Sequence, residues 1–160
     1  MNILLIPRIV VYHNNQIEFS VDKKWYEFLN FTFSNSRVLL PDESVLKRNK
    51  IDLIVIGGGN DLTSIKKNKS NLIRQKITTM YFNYGLKNKI PIIGVCYGSQ
   101  FIAAKCRCEI KALPNHTKPH NIIYKDKIIR VNSYHNFGVI KLRKNLINLA
   151  QAGDKSVELF

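Results

Sequence analysis

One heptapeptide, Gly94-Val95-Cys96-Tyr97-Gly98-Ser99-Gln100, constrains this chain more than any other stretch. It follows Ile90-Pro91-Ile92-Ile93, a short β-branched run that reads as a buried strand, and precedes Phe101-Ile102-Ala103-Ala104, which suits the first turns of a helix. A nucleophilic residue type flanked by glycines, set between a strand and a helix, is the elbow arrangement with Cys in place of Ser. The glycines have a steric reason. The turn holds the central residue in a strained backbone conformation and brings neighbouring chain too close for a Cβ. Cys96 is therefore expected at a helix N-terminus, where the dipole and unpaired N–H groups favour thiolate and can hold an oxyanion. Cys106 and Cys108 lack that context and read as small buried hydrophobes.

The rest of the chain supplies the elements around this turn. Strands are expected at Asn2 to Ile6, Ile51 to Ile56 and Ile90 to Val95, with a hairpin formed by Ile122–Tyr124 and Ile128–Val131 about a Lys125-Asp126-Lys127 turn. Helices are expected at Lys23 to Phe33, at Asn71 to Lys87 behind Ser70 as N-cap, and at Ser99 to Cys106. In the second helix Leu72, Ile73, Ile77, Met80, Tyr81 and Tyr84 approximate one apolar face. Strands alternating with helices predict an α/β fold: a mostly parallel central sheet flanked by helices, with the hairpin as a small antiparallel extension. The strand at Ile51 to Ile56 ends in Gly57-Gly58-Gly59-Asn60-Asp61, a glycine run at the sheet edge where open α/β sheets bind ligands.

Composition narrows the function classes. A chain of 160 residues with 45% hydrophobic content suits one domain with a real core. The apolar runs are too short to cross a bilayer, and Met1-Asn2-Ile3-Leu4-Leu5-Ile6-Pro7 reads as an opening strand rather than a signal peptide. Three cysteines without framework spacing point to a reducing, cytoplasmic setting. The net charge of +14 comes from scattered Lys and Arg with no aromatic-interleaved basic motif, so it reads as solvated charge. Neither nucleic acid nor a membrane is expected as a partner; an anionic small molecule fits the charge.

Several pieces together resemble one family. Gly57-Gly58-Gly59-Asn60-Asp61-Leu62, the Cys96 heptapeptide and Val131-Asn132-Ser133-Tyr134-His135-Asn136-Phe137-Gly138-Val139 occur in the order found in class I glutamine amidotransferases, and most resemble the γ-glutamyl hydrolase branch that includes γ-glutamyl-γ-aminobutyrate hydrolase-like proteins. The loop Asn115-His116-Thr117-Lys118-Pro119-His120 and the segment Asp22 to Leu29 extend the likeness over nearly the whole chain, read as a single domain, 1–160. The resemblance implies a flavodoxin-like fold and hydrolysis of a γ-glutamyl amide through a Cys96 thioester. It places Gly58 or Gly59 with Tyr97 at an oxyanion hole, and Gln100, His135, Asn136 and Phe137 around the glutamyl group. It implies a small-molecule γ-glutamyl substrate and no cofactor. A glutaminase subunit supplying ammonia to a synthase partner is the alternative.

The sequence departs from the family at one motif. The family's base and its orienting acid come from a His-x-Glu pair, and none of the four histidines here has Glu two positions on. Asp154-Lys155-Ser156-Val157-Glu158-Leu159-Phe160 looks like the stretch just upstream of that motif. The expectation is either a truncated chain or a member without base and acid that serves as an inactive binding or regulatory module. His135 is the best substitute base. His116 and His120 stand four apart, but Pro119 argues against a helix and no third ligand is evident, so no metal site is expected.

Overall fold

The structure is a computed structural model that describes residues 1–42 and 44–160. The chain forms two compact units, Met1–Ser99 and Gln100–Phe160.

The first unit runs β1 (Asn2–Ile6), β2 (Arg8–Val11), β3 (Ile17–Ser20), α1 (Lys23–Thr32), β4 (Arg37–Leu39), α2 (Val45–Arg48), β5 (Leu53–Ile56), α3 (Lys69–Lys87) and β6 (Ile92–Gly94), and ends in the first residues of α4 (Tyr97–Lys105). Four strands form a parallel sheet in the order β4-β1-β5-β6, with β2 and β3 as a separate antiparallel ribbon. Every residue of β5 is buried, as strands covered on both faces require. Ile3, Leu5, Leu53 and Val55 point to one face and pack with Leu29 of α1, ringed by Val21, Trp25, Phe33, Val38 and Leu40. Burying Leu29 alone stabilises the unit by about 1.5–3 kcal/mol. The Asp22 carboxylate caps α1 by accepting from Lys24 N–H at 2.8 Å.

Helix α3 lies on the opposite face. A Cβ at Gly85 would come within 2.8 Å of Ile92 Cδ1 and 2.9 Å of Ile54 Cδ1, so glycine sets the helix-to-sheet distance. The buried stripe differs from the expected one. It comprises Asn71, Arg74, Thr78, Tyr81, Phe82 and Gly85, while Leu72 and Met80 are about half exposed. The cap also differs: Asn68, not Ser70, accepts from Asn71 N–H at 2.8 Å, and the helix starts at Lys69.

The second unit contains β7 (Glu109–Ala112), β8 (His120–Tyr124), β9 (Lys127–Val131), β10 (Phe137–Lys141), β11 (Ala150–Ala152) and β12 (Val157–Leu159). They form one six-stranded antiparallel sheet in the order β7-β10-β12-β11-β8-β9. The antiparallel part is therefore not a small extension; it has more strands than the parallel sheet. The expected β8–β9 hairpin is present, and its turn residues Lys125 and Asp126 take φ of +48° and +60°, the signature of a mirror-image turn whose twist suits a tight hairpin. Register shifts in β10 between Val139 and Lys141 and in β11 between Ala150 and Gln151 bend the sheet. No helix among the described residues is long and apolar enough to cross a membrane.

Candidate active site

In the first unit the site lies at the carboxyl ends of the parallel strands. Strand β6 stops at Gly94 and α4 starts at Tyr97, so Val95 and Cys96 alone make the turn. Cys96 takes φ of +55°, a left-handed conformation that costs a residue with a Cβ roughly 1–2 kcal/mol. Gly98 makes it passable: a Cβ there would collide with the Ile56 carbonyl oxygen at the end of β5. Ser99 Oγ donates to the Cys96 carbonyl at 2.8 Å and ties the turn to the helix.

The glycine run packs against this turn. A Cβ on Gly58 would sit 3.0 Å from Cys96 Cβ and 3.4 Å from its Sγ, so only glycine lets the loop approach the sulfur without displacing it. Gly59 has φ of +102°. The backbone N–H groups of Tyr97 and Gly59 face the Cys96 sulfur closely enough to favour its thiolate. Asn60 anchors the loop by imitating a strand partner: its Oδ1 accepts from Ile9 N–H at 2.9 Å and its Nδ2 donates to Ile9 O at 3.1 Å. Of the residues expected here, Cys96, Tyr97, Gly58 and Gly59 come together.

Arg74 braces the same region and was not expected from the sequence. Its guanidinium is fully buried, donates to Gly57 O at 2.8 Å and lies 4.9 Å from the centroid of the Tyr97 ring. One side chain thus holds both the glycine run and the residue after Cys96. Burial lowers the guanidinium to about 10, and Tyr97 opposes the fall, so Arg74 stays charged at neutral pH.

The thiol is pushed up rather than down, against what a helix N-terminus alone suggests. Cys96 is exposed as a residue, yet desolvation by the protein around its sulfur pushes the thiol up. The Tyr97 and Gly59 N–H groups pull it down by less, and the Asp61 carboxylate pushes it up again.

The second unit holds the remaining expected residues. Gln100 is buried and donates through Nε2 to Phe137 O at 2.7 Å; His135 Nδ1 shares the same carbonyl at 3.0 Å. Asn136 is exposed, and its carbonyl accepts from Leu113 N–H at 2.8 Å. His135 does not stand alone. His116 and His120 lie beside it, with ring centroids 5.1 and 6.5 Å away, and all three rings surround the Glu158 carboxylate. The premise that His116 and His120 lack a third ligand therefore fails. Asp154 is held near pKa 2: desolvation opposes the shift, and hydrogen bonds from Ser156 and the His116 imidazole outweigh it. Neither Glu158 nor Asp154 carried a recognisable spacing, since chain reversals through β8 to β12 bring them to the histidines.

Known proteins resemble this chain over most of its length. The family described as glutamine amidotransferase class I matches residues 14–159. The chain is 32% identical over 110 residues to the γ-glutamyl-CDP-amidate hydrolase of Campylobacter jejuni subsp. jejuni serotype O:2, a match covering 69% of this chain and 55% of that protein. The chain thus spans little more than half the length of that relative. Among solved structures, a glutamine amidotransferase from Thermotoga maritima superposes with a TM-score of 0.71 at 15% identity, over 98% of this chain and 69% of that one. A GMP synthase component from Thermoplasma acidophilum gives 0.69 at 16% identity, over 98% and 75%. At those identities the two structures speak to the fold, and the family match over nearly the whole length settles the lineage: this chain belongs to the class I glutamine amidotransferases.

Proposed function

We propose that the chain, read as one amidotransferase-like domain over 1–160, cleaves a γ-glutamyl amide with Cys96 as nucleophile. The observation that carries this reading is the left-handed Cys96 with the Tyr97 and Gly59 N–H groups on its sulfur, in a chain of this family. The Cys96 sulfur, its proton passed through solvent water to the leaving amine, adds to the γ-carbonyl carbon. The carbonyl electrons move to oxygen, and the two N–H groups hold the oxyanion beside the sulfur, with Gly58 leaving the space for it. Collapse expels the amine, which takes a proton, and leaves a γ-glutamyl thioester; water then releases glutamate and frees the sulfur. Gln100 and the backbone at Asn136 and Phe137 hold the glutamyl group, and His135 fixes the Phe137 carbonyl. The basic charge of +14 and the relative's name favour an amide whose amine half is an anionic nucleotide phosphoramidate.

A second reading is a ligand-binding module that keeps the nucleophile without turnover, since within these 160 residues His135 is the histidine left to serve as base. One experiment separates the two. The chain is treated with a glutamine-analogue electrophile and, separately, assayed for glutamate release from glutamine and from a γ-glutamyl nucleotide phosphoramidate. Labelling of Cys96 with turnover that Cys96→Ala abolishes supports the hydrolase. Labelling without turnover supports the module. Labelling at Cys106 or Cys108 instead removes Cys96 from both. Full turnover would make His135 the stand-in base, which His135→Ala then tests.

A further inference from the structure

The histidine cluster of the second unit has the construction of a metal centre. His116 Nδ1, His135 Nε2 and a Glu158 oxygen all lie within 4.8 Å of one another. His116 Nδ1 is 3.2 Å and His120 Nε2 is 3.7 Å from Glu158 Oε1, and His135 Nε2 is 3.4 Å from Oε2. Four donors around a tetrahedral zinc ion at bond lengths of about 2.0–2.1 Å stand roughly 3.3 Å apart. The three histidine-to-carboxylate spacings are of that size, and the His116 and His135 donors stand within 4.8 Å of each other, close enough for small side-chain rotations to close the site.

The opposite nitrogen of each ring is already engaged. His116 Nε2 is 2.9 Å from Asp154 Oδ2, His120 Nδ1 is 3.3 Å from Lys118 O, and His135 Nδ1 is 3.0 Å from Phe137 O. Each of these partners can accept an N–H from its ring. With the N–H groups placed there, the three inner nitrogens turn their lone pairs toward the Glu158 carboxylate. The His116 Nδ1 and His120 Nε2 atoms are buried and make no hydrogen bond despite that proximity. Lone pairs gathered on an anion call for a cation. A proton on His135 is the smallest that can serve; a divalent ion serves all four groups. An outer carboxylate or carbonyl on the far nitrogen of each histidine is how proteins orient metal-bound imidazoles.

The rest of the cluster is built to stay in place. Ser156 donates to Asp154 Oδ1 through N–H at 3.0 Å and through Oγ at 2.7 Å. Ser133 Oγ and His135 N–H both donate to the His116 carbonyl.

We infer that His116, His135 and Glu158, with His120 as fourth ligand, bind one divalent transition-metal ion of the zinc type. The donor set of imidazoles and one carboxylate suits zinc and cobalt(II) rather than magnesium or calcium. The site lies wholly in the second unit and needs nothing from Cys96; with the ion bound, both His135 nitrogens are engaged and the ring does not serve as the stand-in base. On binding, any proton carried by His135 leaves to solvent and the ion takes its place.

The test uses the 160-residue chain stripped with a chelator and titrated with Co²⁺ alone, then with Zn²⁺ alone. The expected result is one Co²⁺ per chain, with the visible bands of a tetrahedral nitrogen–oxygen site and no thiolate charge-transfer band, displaced by Zn²⁺ and accompanied by a rise in Tm. Asp154→Asn should weaken binding about 10–100-fold, and Glu158→Gln should weaken it by more. Asp154 is half exposed, so its variant keeps the test valid even where Glu158→Gln fails to fold. Absence of stoichiometric uptake by the unmutated chain, a thiolate band, or unchanged affinity in Asp154→Asn would each overturn the assignment.

Discussion

The two units reach their chemistry by opposite routes. In the first, backbone does the positioning: Cys96 at positive φ, two N–H groups on its sulfur, and glycines where a Cβ would collide. In the second, side chains do it: three imidazoles converge on Glu158, each fixed from behind by an acceptor. A site made of backbone depends on residues that are nearly irreplaceable, because only glycine fits the space. A site made of side chains depends on register, since His120 opens β8 and Glu158 sits in β12, and β11 alone separates those strands. The first kind fails when a methyl group is added; the second fails when a polar atom is removed.

The largest expected effect follows from that contrast. Gly98→Ala adds one carbon where the Ile56 carbonyl already stands, and overpacking against backbone costs about 3 kcal/mol. Urea denaturation should show a loss of that size, with Cys96 alkylation by iodoacetamide falling in parallel. A loss under about 0.5 kcal/mol, the range of an ordinary surface change, would break the claim that backbone contact holds the elbow.

Arg74→Lys tests a buried side chain on which the backbone site leans. Lysine keeps the charge but not the planar fork that meets Gly57 O over the Tyr97 ring. The expected cost is about 1–3 kcal/mol, together with slower glutamine-analogue labelling of Cys96. Loss of stability with labelling unchanged would make Arg74 a core residue only.

Acidity gives a smaller, sharper reading. The Cys96 thiol is raised, chiefly by desolvation, so thiolate forms at higher pH in the folded chain than in the unfolded one. The alkylation rate of Cys96 should climb at a higher pH in native protein than in urea. A native midpoint below the unfolded one would mean that the helix N-terminus outweighs desolvation after all.

The smallest effect belongs to the second unit's hairpin. Lys125→Asn with Asp126→Gly gives both left-handed positions residues that suit them, and should add about 0.5–1 kcal/mol, read as a Tm rise of roughly 1–4 °C. Lower stability would show that these side chains do something at the turn beyond tolerating it.

The same contrast explains what the sequence made legible. Backbone constraints leave marks in it: the Gly-x-Cys-x-Gly turn and the glycine run after β5 could be found because steric exclusion admits one residue type. Three of the four parallel strands, β1, β5 and β6, were legible as apolar runs; β4, three residues long, was not. The α3 stripe was misread because half of its buried residues, Asn71, Arg74 and Thr78, are polar, so hydrophobicity pointed one residue away. Strands β7, β10, β11 and β12 are three to five residues long. A segment such as Ala150-Gln151-Ala152 has no alternation strong enough to announce a strand. The Glu158 cluster left no local pattern, because only antiparallel pairing gathers it.

The left-handed turn at Cys96 sets stability against chemistry at a single position. Glycine would adopt that φ without strain, so a search for a more robust version of this sequence would replace Cys96, as it would Lys89, Arg107 and Lys155, and lose the sulfur in doing so. A thiol kept in a backbone conformation that suits a different residue is a cost that folding alone gives no reason to bear. In a population drifting without demand for the reaction, this is the position where the tension would release earliest, and glycine, asparagine or aspartate at residue 96 would mark lineages in which the reaction had ceased to matter.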